Sequence, residues 1–156
     1  MAEMIEKYER LQAIIRALKL PNGVTIRPWE EADFLAIQRL SEAEGWPTPL
    51  ERPEEALQAW RHSWPALVAV ADQSVIGFCR ALSDGAVTTY VAEVLVAPAW
   101  RGQGIASALL EASQRLYPGS RLDLLALPTS RSFYEGAGFR PFAGFRLSWP
   151  EREEHR

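Results

Sequence analysis

The residues with the clearest chemical meaning form a basic, glycine-rich turn between an apolar strand and an apolar helix. Val91 to Val96 is typical of a strand, Arg101 to Gly104 of the turn, and Ile105 begins the helix. Two glycines would let backbone N–H groups converge on one point, where the helix N-terminus adds partial positive charge and Arg101 a full one. This arrangement suits a phosphate or a diphosphate.

Three types of phosphate-binding loop share these features. A nucleoside-triphosphate loop needs a Gly-Lys-Ser/Thr ending, which is missing here. A dinucleotide fingerprint needs a third glycine where Ser107 stands, and an acidic residue at the end of the next strand, whereas Asp123 falls within that strand. The third pattern, Gln/Arg-x-x-Gly-x-Gly/Ala, is matched at Arg101, Gly104 and Ala106. A tight strand–helix turn without a ligand is the structural alternative.

The composition predicts an ordinary globular domain. The chain has 156 residues, of which 47% are hydrophobic and 24% charged, enough for one buried core. A net charge of −3 argues against nucleic-acid binding, and no apolar run approaches the ~20 residues of a membrane span. Charged residues in the first twenty positions argue against a signal peptide. Two histidines, His62 and His155, are too few and too far apart for a metal site.

A single cysteine, Cys79, allows no internal disulfide, which together with the charged N-terminus predicts a cytoplasmic protein. Cys79 lies in an apolar strand, and we expect it to be buried as a small hydrophobic residue.

Hydrophobic periodicity predicts an α/β domain at 21–150, an amphipathic helix before it at 1–20 and a charged tail at 151–156. The predicted helices are 3–19, 30–44, 53–63, 104–117 and a short one that ends at 136 or 138. The predicted strands are 24–27, 65–71, 75–82, 87–96, 121–127 and two short ones within 139–149, and 45–49 is a stiff loop. This order implies a mixed sheet with helices on both faces. The apolar stripe of the first helix must be covered, and we expect its own domain to do so, with a second chain as the alternative.

A second motif, Ser132 to Phe139, resembles the Phe-Tyr-x-x-x-Gly-Phe signature of the GNAT family of N-acetyltransferases, whose coenzyme A loop has the third pattern above. The resemblance covers about Val24 to Trp149. It implies a mixed, mostly antiparallel sheet with helices on both faces, and transfer of acetyl from acetyl-CoA to an amine by direct attack in a ternary complex. Leu127 and Ser130 stand where the family often has Asn and Ala.

The resemblance also implies roles for individual residues. The backbone of Val94, Leu95 and Val96 would contact the pantetheine arm and the thioester oxygen, with Ser130 and Phe133 as further contacts. The diphosphate would be held by Arg101, Gly102, Gln103, Gly104, Ile105, Ala106 and Ser107. Tyr134 would be the general acid that protonates the leaving thiolate, since a phenol keeps its proton at neutral pH; packing of its ring is the alternative.

Glu93 is the candidate general base, because it is a lone carboxylate in an apolar strand that enters the cleft. The alternative is a carboxylate paired with Arg80 or with solvent. The acceptor pocket varies within the family, and the residues that could line it here are the loop around Trp46, together with Trp60, Trp64, Arg80, Asp84 and Tyr90. A simple Asp-Gly turn is the alternative for Asp84.

The predicted function is therefore N-acetylation of an unidentified primary amine, carried by a small molecule or a peptide. A catalytically silent acyl-CoA-binding module and a nicotinamide dinucleotide enzyme are the alternatives. A homodimer is compatible with the resemblance, because sheet edges in this family often pair across dimers.

Overall fold

The computed structural model describes residues 1–148, which form one compact unit over Met1–Leu124 and another that begins at Leu125. The helices are α1 (Ala2–Arg16), α2 (Phe34–Ala43), α3 (Thr48–Glu51), α4 (Pro53–Arg61), α5 (Ile105–Leu116) and α6 (Arg131–Gly136). The strands are β1 (Val24–Pro28), β2 (Ala66–Ala71), β3 (Ser74–Ser83), β4 (Thr88–Val96) and β5 (Arg121–Leu124). Short 3₁₀ turns lie at Glu31–Asp33, Pro98–Trp100 and Pro128–Ser130.

The five strands form one sheet in the order β1-β2-β3-β4-β5. Neighbours are antiparallel except β4 and β5, which are parallel. The β2–β3 hairpin turns at Asp72 and Gln73, both with positive φ, which matches the right-handed twist of the strands. A parallel pair needs a crossover connection, and α5 provides it between β4 and β5. The mixed, mostly antiparallel sheet predicted from the sequence is confirmed.

The sheet carries helices on both faces, because adjacent β3 residues contact different helices. Phe78 is fully buried in a cluster with Ile37 of α2 and Trp60 of α4. Cys79, which points to the other face, lies 3.7 Å from Ser113 Oγ of α5. Both faces of the sheet in the first unit are therefore covered by helices.

Helix α1 packs on α5 within the same chain. Leu11 is fully buried, and the ring of Tyr8 lies 4.9 Å from that of Trp64. Met4 and Ile5 remain about half exposed. In residues 1–148, none of the helices combines the length and apolar character needed to span a membrane.

Two local predictions are wrong. No strand forms over 139–148, where Phe142 and Phe145 are 86% and 96% exposed. Pro141 has no N–H to donate to a strand partner, which disfavours pairing in this segment. Residue 149 and the predicted tail at 151–156 lie outside the described residues. The predicted loop at 45–49 is interrupted by α3, because Pro49 fits the first turn of a helix.

Candidate active site

The turn after β4 places the start of α5 beside two glycines in left-handed conformations. Gly102 has φ +76° and Gly104, the N-cap of α5, has φ +83°. The first intrahelical bond runs from Ala108 N–H to Gly104 O at 3.0 Å. The N–H groups of residues 105–107 therefore have no acceptor within the helix, and Gly104 has no side-chain oxygen to cap them.

The space around this turn is open. A β-carbon built at Gly102 or Gly104 would meet no atom within 4 Å. Gln103 and Ser107 are exposed, whereas Ile105 is buried and Ala106 half-buried. Free donors, partial positive charge and open space fit a diphosphate group.

Arg101 is held by two acceptors on other elements. Its Nε donates to Val96 O at 2.8 Å, and its Nη2 lies 2.6 Å from Glu44 Oε2. Glu44 is the residue that follows α2. The positive charge expected for the turn is therefore shared with a carboxylate.

In the part of the chain that the structure describes, the C-terminal half of β4 has no strand partner on the side of β5. The parallel pairing with β5 extends only from Thr88 to Val91. Among the described residues, the remaining part of β4 has a strand partner only in β3. Val94 is half-buried, and Leu95 and Val96 are buried, so the side chains pack. On the edge without a strand partner, Val96 O accepts from Arg101 Nε. An extended ligand can add to such an edge by strand-like hydrogen bonds.

A β-bulge determines the direction of Glu93. Arg80 pairs with Glu93 but Ala81 pairs with Val91, so Ala92 is the extra residue of β4. A bulge shifts the alternation of side chains by one residue. Glu93 therefore shares a sheet face with Arg80 rather than lying with Val91 beneath α5.

Glu93 forms an ion pair with Arg80. Arg80 Nε donates to Glu93 Oε2 at 2.6 Å, and the two side chains are only 16% and 24% exposed. Arg80 Nη1 also donates to Ser63 Oγ at 3.1 Å. Ser63 Oγ gives its own proton to Ala59 O at 2.6 Å, so it can only accept from Arg80. The sequence alternative of a carboxylate paired with Arg80 is thus what the structure contains.

This ion pair lines an open cavity of about 260 Å³. Its walls come mainly from α3 and α4, and the lining residues are Thr48, Pro49, Arg52, Glu55, Ala56, Ala59, Trp60, Arg80 and Glu93. Arg52 and Glu55 also form an ion pair with each other. Two of the predicted acceptor elements contribute to this wall: the loop of Trp46, through Thr48 and Pro49, and Trp60 of α4. Sequence reasoning missed Ser63 and the other α4 residues, because they belong to no motif.

Asp84 lies elsewhere, in the turn between β3 and β4. Its carboxylate accepts the backbone N–H groups of Thr88, Ala86 and Val87, and these bonds hold its pKa below the usual range. It lines a separate open cavity of about 380 Å³ with His62, Trp64, Leu82, Ser83 and Thr88. The structure therefore does not bring Asp84 together with Arg80 and Glu93, and supports the turn alternative.

Trp46 and Tyr90, two more of the predicted acceptor residues, lie on the sheet face of Glu93. Trp46 is half-buried and packs against the Phe78 cluster. Tyr90 is half-buried and pairs with Leu82. Neither residue lines the cavity that contains Arg80 and Glu93.

The second unit contains the remaining predicted residues. The ring of Tyr134 in α6 lies between those of Phe133 and Phe139, with centroid distances of 5.1 and 5.5 Å. Phe133 is 40% exposed. Ser130 Oγ donates to Leu127 O at 3.1 Å instead of capping α6.

Cys79 is fully buried, as predicted, and lies outside the cavity. Burial raises the pKa of its thiol to about 12, although the Ser113 hydroxyl partly opposes this. The thiol therefore stays protonated at neutral pH and takes no part in nucleophilic chemistry.

Comparison with known families identifies the domain. The model described as "Acetyltransferase (GNAT) domain" matches residues 62–141, which is 80 of the 156 residues. The chain belongs to the GNAT acetyltransferase family. The matched segment contains β2 to α6, and hence the glycine turn, the bulge and Tyr134. No curated protein matches the chain significantly.

Solved GNAT structures share this fold. A GNAT-family acetyltransferase from Streptococcus pneumoniae is 23% identical, with 81% of this chain and 98% of that chain covered and a TM-score of 0.67. A Deinococcus radiodurans protein assigned as an acetyltransferase is 25% identical, with 85% and 92% covered and a TM-score of 0.67. AAC(6')-Iy, solved with the bisubstrate analog CoA-S-monomethyl-acetylneamine, is 24% identical, with 80% and 96% covered and a TM-score of 0.60.

Proposed function

We propose that this GNAT protein transfers an acetyl group from acetyl-CoA to a primary amine, by direct attack of the amine in a ternary complex. The observation that carries the proposal is the uncapped start of α5, with its open glycine turn, inside the segment that matches the family. The amine belongs to a small molecule or a peptide.

Acetyl-CoA would lie along the end of β4 and over the start of α5. The N–H groups around residues 102–107 would hold its diphosphate. The backbone of Val94 to Val96, on the edge without a strand partner, would pair with its pantetheine arm through groups other than Val96 O, which accepts from Arg101. Ser130 and Phe133 are proposed as further contacts. Bound acetyl-CoA would supply the acetyl thioester that the amine attacks.

On the acceptor side, Glu93 would receive the proton that the amine loses, directly or through a water molecule. Arg80 already occupies Glu93 Oε2, so Oε1 is the oxygen left for this task. The cavity beside this carboxylate would admit the amine. Tyr134 is proposed to protonate the leaving thiolate, completing the transfer.

Thermal shift tests cofactor choice, because only a ligand that binds the folded state raises the melting temperature. We expect stabilisation by acetyl-CoA and CoA but not by NAD. Stabilisation by NAD alone would favour the dinucleotide alternative.

Release of free CoA thiol tests transfer. The panel includes sisomicin, with which a GNAT-fold acetyltransferase of 16% identity was solved, spermidine, and a peptide with a free N-terminus and a lysine. We expect thiol release that depends on at least one of these amines. Stabilisation by acetyl-CoA without release for any of them would favour the silent binding module.

A further inference from the structure

Arg101 is the first residue of the glycine turn, yet its guanidinium connects this turn to two other elements, β4 and α2. Nε binds the carbonyl of Val96 at the end of β4, and Nη2 binds Glu44 just after α2. These contacts connect residues 57 positions apart in the sequence. The side chain thus has a structural task that the loop motif alone does not reveal.

Glu44 occupies a position that is electrostatically unfavourable by itself. Its carboxylate follows the C-terminus of α2, where the helix dipole is already negative. It also lies beside a turn that is proposed to bind an anion. The contact with Arg101 compensates for both effects, since the guanidinium supplies the opposite charge at 2.6 Å.

Glu44 is also followed closely in the chain by residues that line the cavity beside Glu93. Gly45, with φ +79°, turns the chain directly after Glu44, and Trp46 then packs against the core. Thr48 and Pro49 follow and line the cavity that contains Glu93. A contact at Glu44 therefore reaches both the glycine turn and the acceptor side.

We propose that Arg101 and Glu44 are positioning residues: their ion pair holds the glycine turn against the end of α2, so the Arg101 side chain acts on CoA binding through the position of the turn. The inference rests on the proposed function. It assigns Arg101 a role different from the direct phosphate contact expected from sequence.

Charge-conserving variants separate the two roles of Arg101. Glu44→Asp keeps the negative charge but is one methylene too short for the present contact. Arg101→Lys keeps the positive charge but cannot reach both acceptors in the same way. Calorimetric titration with CoA should show about two- to fivefold weaker binding for each variant, the range expected for a partly exposed ion pair. The double variant should be no weaker than the weaker single one, because both changes break one contact.

Glu111→Asp is the matched control. Glu111 pairs with Arg115 at 2.6 Å on α5, away from the glycine turn, and its replacement should leave CoA affinity unchanged. Hydrogen exchange is the second readout. CoA should slow exchange of the backbone amides of Gly45, Trp46 and Thr48 in the wild type. It should slow this exchange less in Glu44→Asp.

Two results would overturn the inference. Wild-type CoA affinity in Glu44→Asp would mean that the contact does not position the turn for CoA, and tighter affinity would mean that Glu44 competes with the diphosphate for Arg101. Additive losses in the double variant would mean that the two residues act separately. In both cases the wild type still binds CoA, whereas a wild type that fails to bind CoA would refute the proposed function itself and the positioning role with it.

Discussion

The ion pair between Arg80 and Glu93 gives a prediction for single residues. Arg80→Met should reduce amine-dependent thiol release about 10- to 100-fold, because Glu93 loses the contact that orients its carboxylate. Glu93→Gln should have a similar effect, and the double variant little more. The assay uses the panel amine that the wild type acetylates fastest.

The control is Arg61→Met, which breaks the pair of Arg61 with Glu31 outside the cavity. We expect no change in its activity. An Arg80→Lys variant should recover part of the loss, since it restores the charge. Full activity of Arg80→Met would show that Glu93 needs no partner, and would return Arg80 to the role of an acceptor-binding residue.

Tyr134 allows a test of the general acid. Tyr134→Phe keeps the ring between Phe133 and Phe139 but removes the hydroxyl. Turnover should fall about 10- to 1,000-fold, while CoA affinity changes little, because only the proton donor is lost. Calorimetry and thiol release measure the two quantities separately. A loss confined to CoA affinity would support a packing or binding role for the ring.

Asp33 gives a pH-dependent prediction for stability. Burial raises the pKa of its carboxyl. Hydrogen bonds from Arg27 and from the Glu30 backbone lower this pKa by more, so the net pKa is below the usual value. The folded state then binds fewer protons at this site than the unfolded state. The contribution of Asp33 to the free energy of unfolding is complete above the ordinary aspartate pKa. It is lost as the pH falls through the lower pKa that Asp33 has in the folded state. Urea unfolding of Asp33→Asn should therefore depend less on pH below about pH 4. Equal pH dependence in both proteins would contradict this assignment.

At the scale of elements, the glycine turn depends on a backbone conformation that branched residues avoid. Gly104 has φ +83°, so Gly104→Val should distort the start of α5 and weaken CoA binding more than about tenfold. Gly23→Val is the control, because Gly23 has φ +78° and equally open surroundings but lies before β1. Calorimetry should show normal CoA affinity for the control. Equal losses in both variants would indicate general destabilisation instead.

The bulge in β4 determines which face of the sheet the Glu93 side chain lies on, and so whether it reaches the cavity. Regular alternation would place Glu93 with Val91, on the face that α5 covers. One extra residue, Ala92, moves the carboxylate to the face of Arg80 and the cavity. The position of the candidate base therefore follows from pairing with β3, and hairpin signals in the sequence do not specify it.

At the scale of the molecule, α1 is the part whose removal is most informative. Leu11 is fully buried and α1 packs on α5, so deletion of residues 1–20 should uncover apolar surface of α5. We expect a melting temperature lower by several degrees, on the order of what the loss of one buried leucine causes. Light scattering should show the same oligomeric state before and after deletion. Conversion of a dimer to a monomer would show that α1 is covered by a second chain.

The sequence alone determined those features that depend on local chemistry. Two glycines between a strand and a helix predicted a tight turn, and the structure has such a turn, with positive φ at both Gly102 and Gly104. Periodicity predicted the helices other than α3 and the first five strands, because amphipathic burial follows from spacing. Paired motifs at Arg101 and Tyr134 predicted the family, which the match over residues 62–141 confirms.

Only the tertiary structure decided which side chains meet. The Arg80–Glu93 pair depends on a one-residue shift between strands, and the Arg101–Glu44 contact joins segments that are distant in sequence. The Asp84 carboxylate accepts hydrogen bonds from N–H groups of its own turn, and it does not reach the cavity of Arg80 and Glu93. Local patterns specify backbone conformation and which face is apolar, whereas ion pairs between elements depend on strand register and helix placement, which come from packing of the whole unit.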